Sequence, residues 1–375
     1  MPRLDSKSRF GGAAIKIYNH MKTELFEREN APVQTRARMN GKPVFNVPAK
    51  SILNLDSGFK HKLLCDGPTF TTGSACAYSC TFCYVEDLMR KNPHWQSVTK
   101  QTPESKFQDV VIRREGAISA LRRQLTDAKG RPKFNDPSDR RVIYGSPLVD
   151  VAANMDLVRE TIEVCRTIMT LTNWQIRLLS KSNLLSKIAQ GLEEVSPLAK
   201  NGFGARERII YGVSTGTLDD GLSRAFETGT PLVSKRIESL HWLQDNGFRT
   251  FGMICPSLPQ TDYQKFAREM ASAIRADKCE HVWAEVLNAR GDSFKRTWAA
   301  LIEAGYQSCA DYFEYVSNDK EAWELYAQRT FRAHAEVYHG QTGPDGLPKF
   351  RFLQYVKKNS RPWWAARTSD GAILL

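Results

Sequence analysis

Three cysteines stand close together in the segment GSACAYSCTFCYVED: Cys76, Cys80 and Cys83. They fall within eight residues of one another, close enough for a single loop to wrap a metal centre. Thiolates are the ligands that iron–sulfur clusters prefer, and a cubane takes four. Three local ligands leave one iron open to a small molecule. Zinc is the competing occupant. It asks for a fourth ligand and usually shows paired CxxC or histidine spacing; Cys65 lies near enough to serve, but no second CxxC follows. The remaining cysteines (Cys165, Cys255, Cys279, Cys309) are scattered singly, unlike the disulfide framework of a small secreted domain. Clustered cysteines in such a chain read first as metal ligands.

The elements that position this loop show in the hydropathy pattern. From about residue 62, short β-rich runs ending in small or polar residues alternate with helical patterns. The predicted strands are 69–72, 141–146, 174–180, 208–214, 249–254 and His281–Val286, with helices such as Met155–Leu171 and Val233–Asp245 between them. That alternation predicts an α/β fold with a parallel sheet, a partial (β/α)6 TIM-type barrel. The expected organisation is a basic N-terminal extension over 1–61, with a short helix at 14–28, and the barrel over 62–290. A charged insertion at about 90–140 turns at Gly130. A helical C-terminal region over 291–375 ends in a Gly/Pro turn and a tail. In parallel barrels chemistry sits at the C-terminal strand ends, where the cysteine loop follows the first strand.

The CxxxCxxC spacing, with Phe82 just before the last cysteine, resembles the signature of the radical S-adenosylmethionine (radical SAM) superfamily. The segments RVIYGSPLVD, LLSKS, IIYGVSTGTLDDGLSRAFETGTPLVSKR and FGMICPSLPQTD together resemble its spore photoproduct lyase-like group, over about residues 65–290. The resemblance implies a [4Fe–4S] cluster on Cys76, Cys80 and Cys83. It also implies reductive cleavage of SAM to methionine and a 5′-deoxyadenosyl radical, which abstracts hydrogen from substrate. Carried over by position, Ser146, Lys181 and Ser214 are SAM contacts: a strand-end lysine pairs with the methionine carboxylate, and hydroxyls bond the carboxylate or ribose. Phe82 and Tyr84 are expected beside the cluster and adenine. The true lyase draws hydrogen from a cysteine at the second strand end, where this chain has Tyr144 and Gly145. Cys255, closing the fifth strand, and Tyr144 are the alternative candidates for radical or proton transfer.

The formal net charge is +12, from 53 basic and 41 acidic residues, which favours anionic partners. The tail KFRFLQYVKKNSRPWWAAR carries six basic residues and no acidic one, interleaved with aromatics. Lys357, Lys358, Arg361, Trp363 and Trp364 are therefore candidate nucleic-acid contacts; a tail packed on the barrel is the alternative. With the resemblance, this points to DNA and a thymine-derived base extruded into the barrel mouth, for modification, radical rearrangement or repair. Thymine-dimer reversal, a protein or small-metabolite substrate, and a zinc-bearing nucleic-acid-binding module are the other readings. The expected partner is a one-electron reductant such as flavodoxin or ferredoxin. Without a long apolar run or a secretory leader, the chain is expected in the cytoplasm, that of a host if the source is viral.

Overall fold

The computed structural model describes residues 32–194, 204–288 and 292–375; the expected helix at 14–28 lies outside them. Eight strands form one parallel run: β4 (Thr69–Phe70), β8 (Val142–Gly145), β9 (Gln175–Ser180), β10 (Ile209–Ser214), β12 (Arg249–Ser257), β13 (His281–Val286), β14 (Phe350–Gln354) and β15 (Ala372–Leu374), with β3 (Leu53–Asn54) antiparallel at the edge beside β4. A separate four-stranded sheet joins β1 (Val33–Met39), β2 (Lys42–Pro48), β7 (Val111–Glu115) and β5 (Gly73–Ala75). The hairpin between β1 and β2 turns at Asn40–Gly41, both at positive φ, as a two-residue hairpin turn of this kind requires. β6 (Ser79–Cys80) and β11 (Glu227–Thr228) form a two-stranded pair.

The crossovers are helices for the reasons the pattern gave. In Met155–Leu171 the Asn154 side chain caps the start by accepting from the Leu157 amide at 3.0 Å. Leu157, Val158, Val164, Cys165 and Ile168 line its buried face. Helices Leu185–Glu193 and Val233–Asp245 bury Ile188, Leu192, Leu240 and Leu243 into the same layer.

Period-two alternation sorts each strand between that helical layer and the opposite face of the sheet. Ile176 and Leu178, Tyr211 and Val213, Val282 and Ala284 join the helix-side core. Tyr144, Leu179, Ile210, Phe251, Met253, Trp283, Leu353 and Ile373, drawn from seven strands, meet in one cluster on the other face. Side chains from seven neighbouring strands meet only if the sheet curves around them. The short turn Gly58–Lys62 and its successors plug the concavity: Arg177 donates to the carbonyls of Leu63 (3.2 Å) and Leu64 (2.7 Å), and the Trp283 indole donates to that of Lys62 (3.0 Å). Gly212 leaves room for the Phe251 ring on this face and Gly145 for the Phe70 ring on the helix side; a Cβ would sit 2.2 Å and 2.1 Å from them respectively.

Two expectations change. The insertion holds helices Pro93–Gln101 and Ala117–Leu125 but also β7, which joins the second sheet and not the main one. The alternation does not stop at residue 290: after helices Ser293–Glu303, Gln307–Asn318 and Lys320–Val337, β14 and β15 extend the parallel run. The aromatics of the tail are what holds them there. Phe350, Phe352 and Trp364 are buried, and Phe331 meets all three. No helix among the described residues is long and apolar enough to cross a membrane.

Candidate active site

Because the concave face is read every second residue, five neighbouring parallel strands each offer an inward polar side chain at the C-terminal end. Those are Ser146 after β8, Lys181 after β9, Ser214 on β10, Cys255 on β12 and Glu285 on β13, and all five line one cavity of about 220 Å³. Cys76, Cys80, Cys83, Phe82, Tyr84 and Tyr144 line the same cavity. The predicted cluster ligands, SAM contacts and transfer candidates therefore converge, although they span 180 positions of the chain.

The cysteine loop is held from four sides. Cys80 pairs through its backbone with Glu227 across β6 and β11, and the Thr81 amide donates to the Phe226 carbonyl at 2.9 Å. Lys42, on β2, donates to the carbonyls of Cys76 (3.3 Å) and Tyr78 (2.8 Å). Arg296 donates to those of Thr81 (2.9 Å) and Cys83 (3.3 Å). The thiols receive backbone N–H groups: Cys76 from Tyr78 (3.5 Å) and Asp150 (3.4 Å), Cys83 from Val85 and Glu86. Burial pushes all three thiols up, Cys76 to about 11 and Cys80 well above its ordinary value; only a bound cation would hold such groups as thiolates. Among the described residues no three His, Cys, Asp or Glu side chains are gathered to hold a single metal ion. The three thiols line one cavity. The donor set is three thiols with amide donors and, among the described residues, no further thiol on the cavity wall beyond Cys255. That set fits a cluster with one open iron.

Beside the thiols lies a polar network. The Lys181 ammonium donates to Glu227 Oε1 (2.6 Å), the Cys255 carbonyl (3.0 Å) and Ser214 Oγ (3.1 Å), and stands 5.3 Å from the Phe82 ring centre. Glu227 is buried and also accepts from Arg236 (2.6 Å) and Ser223 (2.7 Å). Burial alone would raise its carboxyl, but Lys181 and Arg236 beside it hold it below the usual range. Asp150 accepts from the Lys181 amide (2.7 Å) and Ser180 Oγ (2.8 Å), yet burial keeps its carboxyl raised. Ser146 Oγ shares a hydrogen with Thr71 Oγ1 at 2.9 Å. Cys255 Sγ lies 4.0 Å from Glu285 Oε2, and burial, then Glu285, push its thiol up to about 12. Tyr144 stacks on Phe59 at 5.4 Å and burial raises its phenol.

Glu227, Arg236, Lys42, Glu285 and Lys62 escaped the sequence reading. Glu227 and Arg236 stand inside the segment AFETGTPLVSKR, and a Glu–Arg pair nine residues apart was the available signal. The tail divides: Lys357, Lys358 and Arg361 are exposed, whereas Trp364 is fully buried with its indole N–H on Glu324 (2.5 Å). Trp364 is therefore a core residue and not a stacking platform. Trp363 is half-buried, its ring covered by Arg367 at 3.7 Å and Arg332 at 5.2 Å.

A larger cavity of about 840 Å³ adjoins the first, sharing Phe59, Lys62, Tyr84, Pro147, Leu148 and Glu285. Tyr355, His61 and Arg114 line its outer part.

No family model matches the chain, and no curated protein matches it by sequence. Among solved structures, a cysteine-to-serine mutant of spore photoproduct lyase is similar at 10% identity and TM-score 0.46, over 69% of this chain and 66% of the lyase. A lyase complexed with dinucleoside spore photoproduct gives 9% and 0.44 over the same shares. Streptococcus suis SuiB bound to precursor peptide SuiA gives 12% and 0.36, over 79% of this chain and 50% of that one. The chain thus spans just under two thirds of the first lyase structures. The lyase is also the enzyme whose group the sequence motifs resemble; identities and scores this low leave function to be argued from the cavity.

Proposed function

We propose that the chain is a radical SAM enzyme whose curved sheet serves as an open barrel, with a [4Fe–4S] cluster on Cys76, Cys80 and Cys83 and a DNA base as its substrate. The observation that carries this is the meeting of the three thiols with Ser146, Lys181 and Ser214 on one cavity wall. When bound and reduced, the cluster supplies reductive cleavage of SAM, and hence a radical able to take hydrogen from an unreactive C–H bond. The protein's part is binding and exclusion. Lys181 supplies a cation for the methionine carboxylate, Ser214 and Ser146 supply hydroxyls, and Phe82 and Tyr84 supply apolar walls. Leu148, Met253 and Leu353 keep water from the reacting end.

The 840 Å³ cavity is the entry for substrate in this reading, large enough for an extruded base flanked by Phe59 and Tyr355. The net charge of +12 and exposed Lys357, Lys358 and Arg361 favour a polyanion outside it. The expected reaction is modification or rearrangement of a thymine-derived base. A second reading, thymine-dimer reversal, is favoured by Cys255: its thiol lines the cavity and can return hydrogen to a product radical, taking the role of the cysteine absent beside Tyr144. Mass spectrometry of nucleosides from DNA incubated anaerobically with reconstituted enzyme, reductant and SAM tests both. A new or altered thymidine supports modification, restored thymidine from irradiated DNA supports reversal, and unchanged DNA in every arm overturns the substrate assignment.

A further inference from the structure

Among the described residues, Glu227 touches both halves of the site. Its backbone pairs with Cys80 across β6 and β11, and the preceding carbonyl, of Phe226, accepts from both the amide and the hydroxyl of Thr81. Its carboxylate, fully buried, takes the Lys181 ammonium on one oxygen; Arg236 and Ser223 share the other. Arg236 is itself fully buried, and donates in addition to the carbonyls of Pro231 (2.9 Å) and Ser214 (3.3 Å). An ammonium has three N–H bonds. Those of Lys181 are spent on Glu227, Ser214 and the Cys255 carbonyl, so an incoming carboxylate must take one of them over. The bond to Glu227 is the shortest of the three, and fixes where the ammonium can reach.

We infer that Glu227 is a positioning residue that couples the cysteine loop to the pocket for the cofactor's carboxylate. It rests on the radical SAM reading above. A ligand that draws on Lys181 pulls on Glu227, whose backbone carries Cys80; a change at the cluster is felt at Lys181 by the same route. The occupant of the pocket is a carboxylate on a small molecule, held by Lys181 and Ser214.

The test compares anaerobically reconstituted wild-type protein with E227Q, E227D and R236K. Iron content, SAM affinity and the electron paramagnetic resonance of the reduced cluster, without and with SAM, are measured for each. E227Q should retain iron but bind SAM at least about tenfold more weakly, since a charge-assisted bond to Lys181 is lost. Its SAM-free spectrum should also differ from wild type. E227D should recover part of both. R236K, which keeps the carboxylate but loosens its anchor, should depart from wild type in the same two readouts and carries the test if E227Q does not fold. Wild-type affinity and spectrum in E227Q overturn the inference, as does weakened SAM binding with an unchanged spectrum, which would remove the coupling. A wild-type protein that neither holds iron nor binds SAM fails the radical SAM reading instead.

Discussion

At the scale of single residues, the cavity assigns separable tasks. Replacing Cys76, Cys80 or Cys83 by alanine should each abolish iron incorporation while leaving the fold, because the loop is pinned by backbone contacts to Lys42, Arg296 and Glu227 and not by its thiols. Iron analysis with circular dichroism checks this; a variant that keeps its iron would remove that cysteine from the ligand set. Cys255→Ala should leave SAM cleavage intact but change the DNA product, since its thiol lies beside Glu285, which also lines the larger cavity proposed for substrate. Nucleoside mass spectrometry reads the difference, and an identical product profile would retire Cys255 as a transfer residue. The cysteine motif is a local signal, and Ser146, Lys181 and Ser214, carried over by resemblance, stand at strand ends that meet the cysteines in one cavity. Glu227, Lys42 and Glu285 were not legible in the sequence. Each acquires its meaning from a partner 30 or more positions away, or from a curvature no single strand encodes.

Among the elements, the sheet does the positioning, and its glycines test how tightly. Gly145→Ala would drive a methyl into the Phe70 ring on the helix side and Gly212→Ala into the Phe251 ring on the concave face, where overpacking costs about 1–3 kcal/mol. Thermal unfolding should show the loss for both, and Gly145→Ala should also weaken SAM binding by shifting the neighbouring Ser146. Unchanged melting would mean that the rings move freely and that the sheet is less tightly packed than its contacts imply. The six strands and the helices Met155–Leu171 and Val233–Asp245 named from the sequence lie where expected, within a few residues. β14 and β15 were missed because a basic, aromatic stretch after a Gly/Pro turn has the composition of a surface. Its alternation, with Phe350, Phe352 and Gln354 on one parity, is masked by its charges. The Asn40–Gly41 hairpin was missed despite a strong turn signal, since β1 is exposed on both faces and shows no hydrophobic period.

For the whole molecule, charge and acid sensitivity give two expectations. Burial lowers His281 to about 4 and His334 to about 3. Both fold as neutral rings, so their contribution is fully present above the unfolded value near 6.5 and is lost as pH falls toward the folded values. The slope should be about 1.4 kcal/mol per pH unit for each. His334, stacked on Phe350 and without a protein partner for either ring nitrogen among the described residues, should tolerate phenylalanine and flatten that slope. Melting curves between pH 7 and 4.5 measure it, and an unchanged slope would contradict the assignment. DNA binding should weaken steeply with salt, and neutralising Lys357, Lys358 and Arg361 should reduce the slope of log affinity against log salt by up to about 3. Equal slopes would move the polyanion surface elsewhere.

The central claim is that three thiols, a strand-end lysine and two serines form one machine for cleaving SAM. Its most direct measurement is chromatography of the products when anaerobically reconstituted protein is given dithionite and SAM. The expected result is a brown, iron-loaded protein that yields 5′-deoxyadenosine and methionine, lost in Cys80→Ala and much reduced in Lys181→Ala. A colourless protein holding one zinc ion and leaving SAM intact would contradict it.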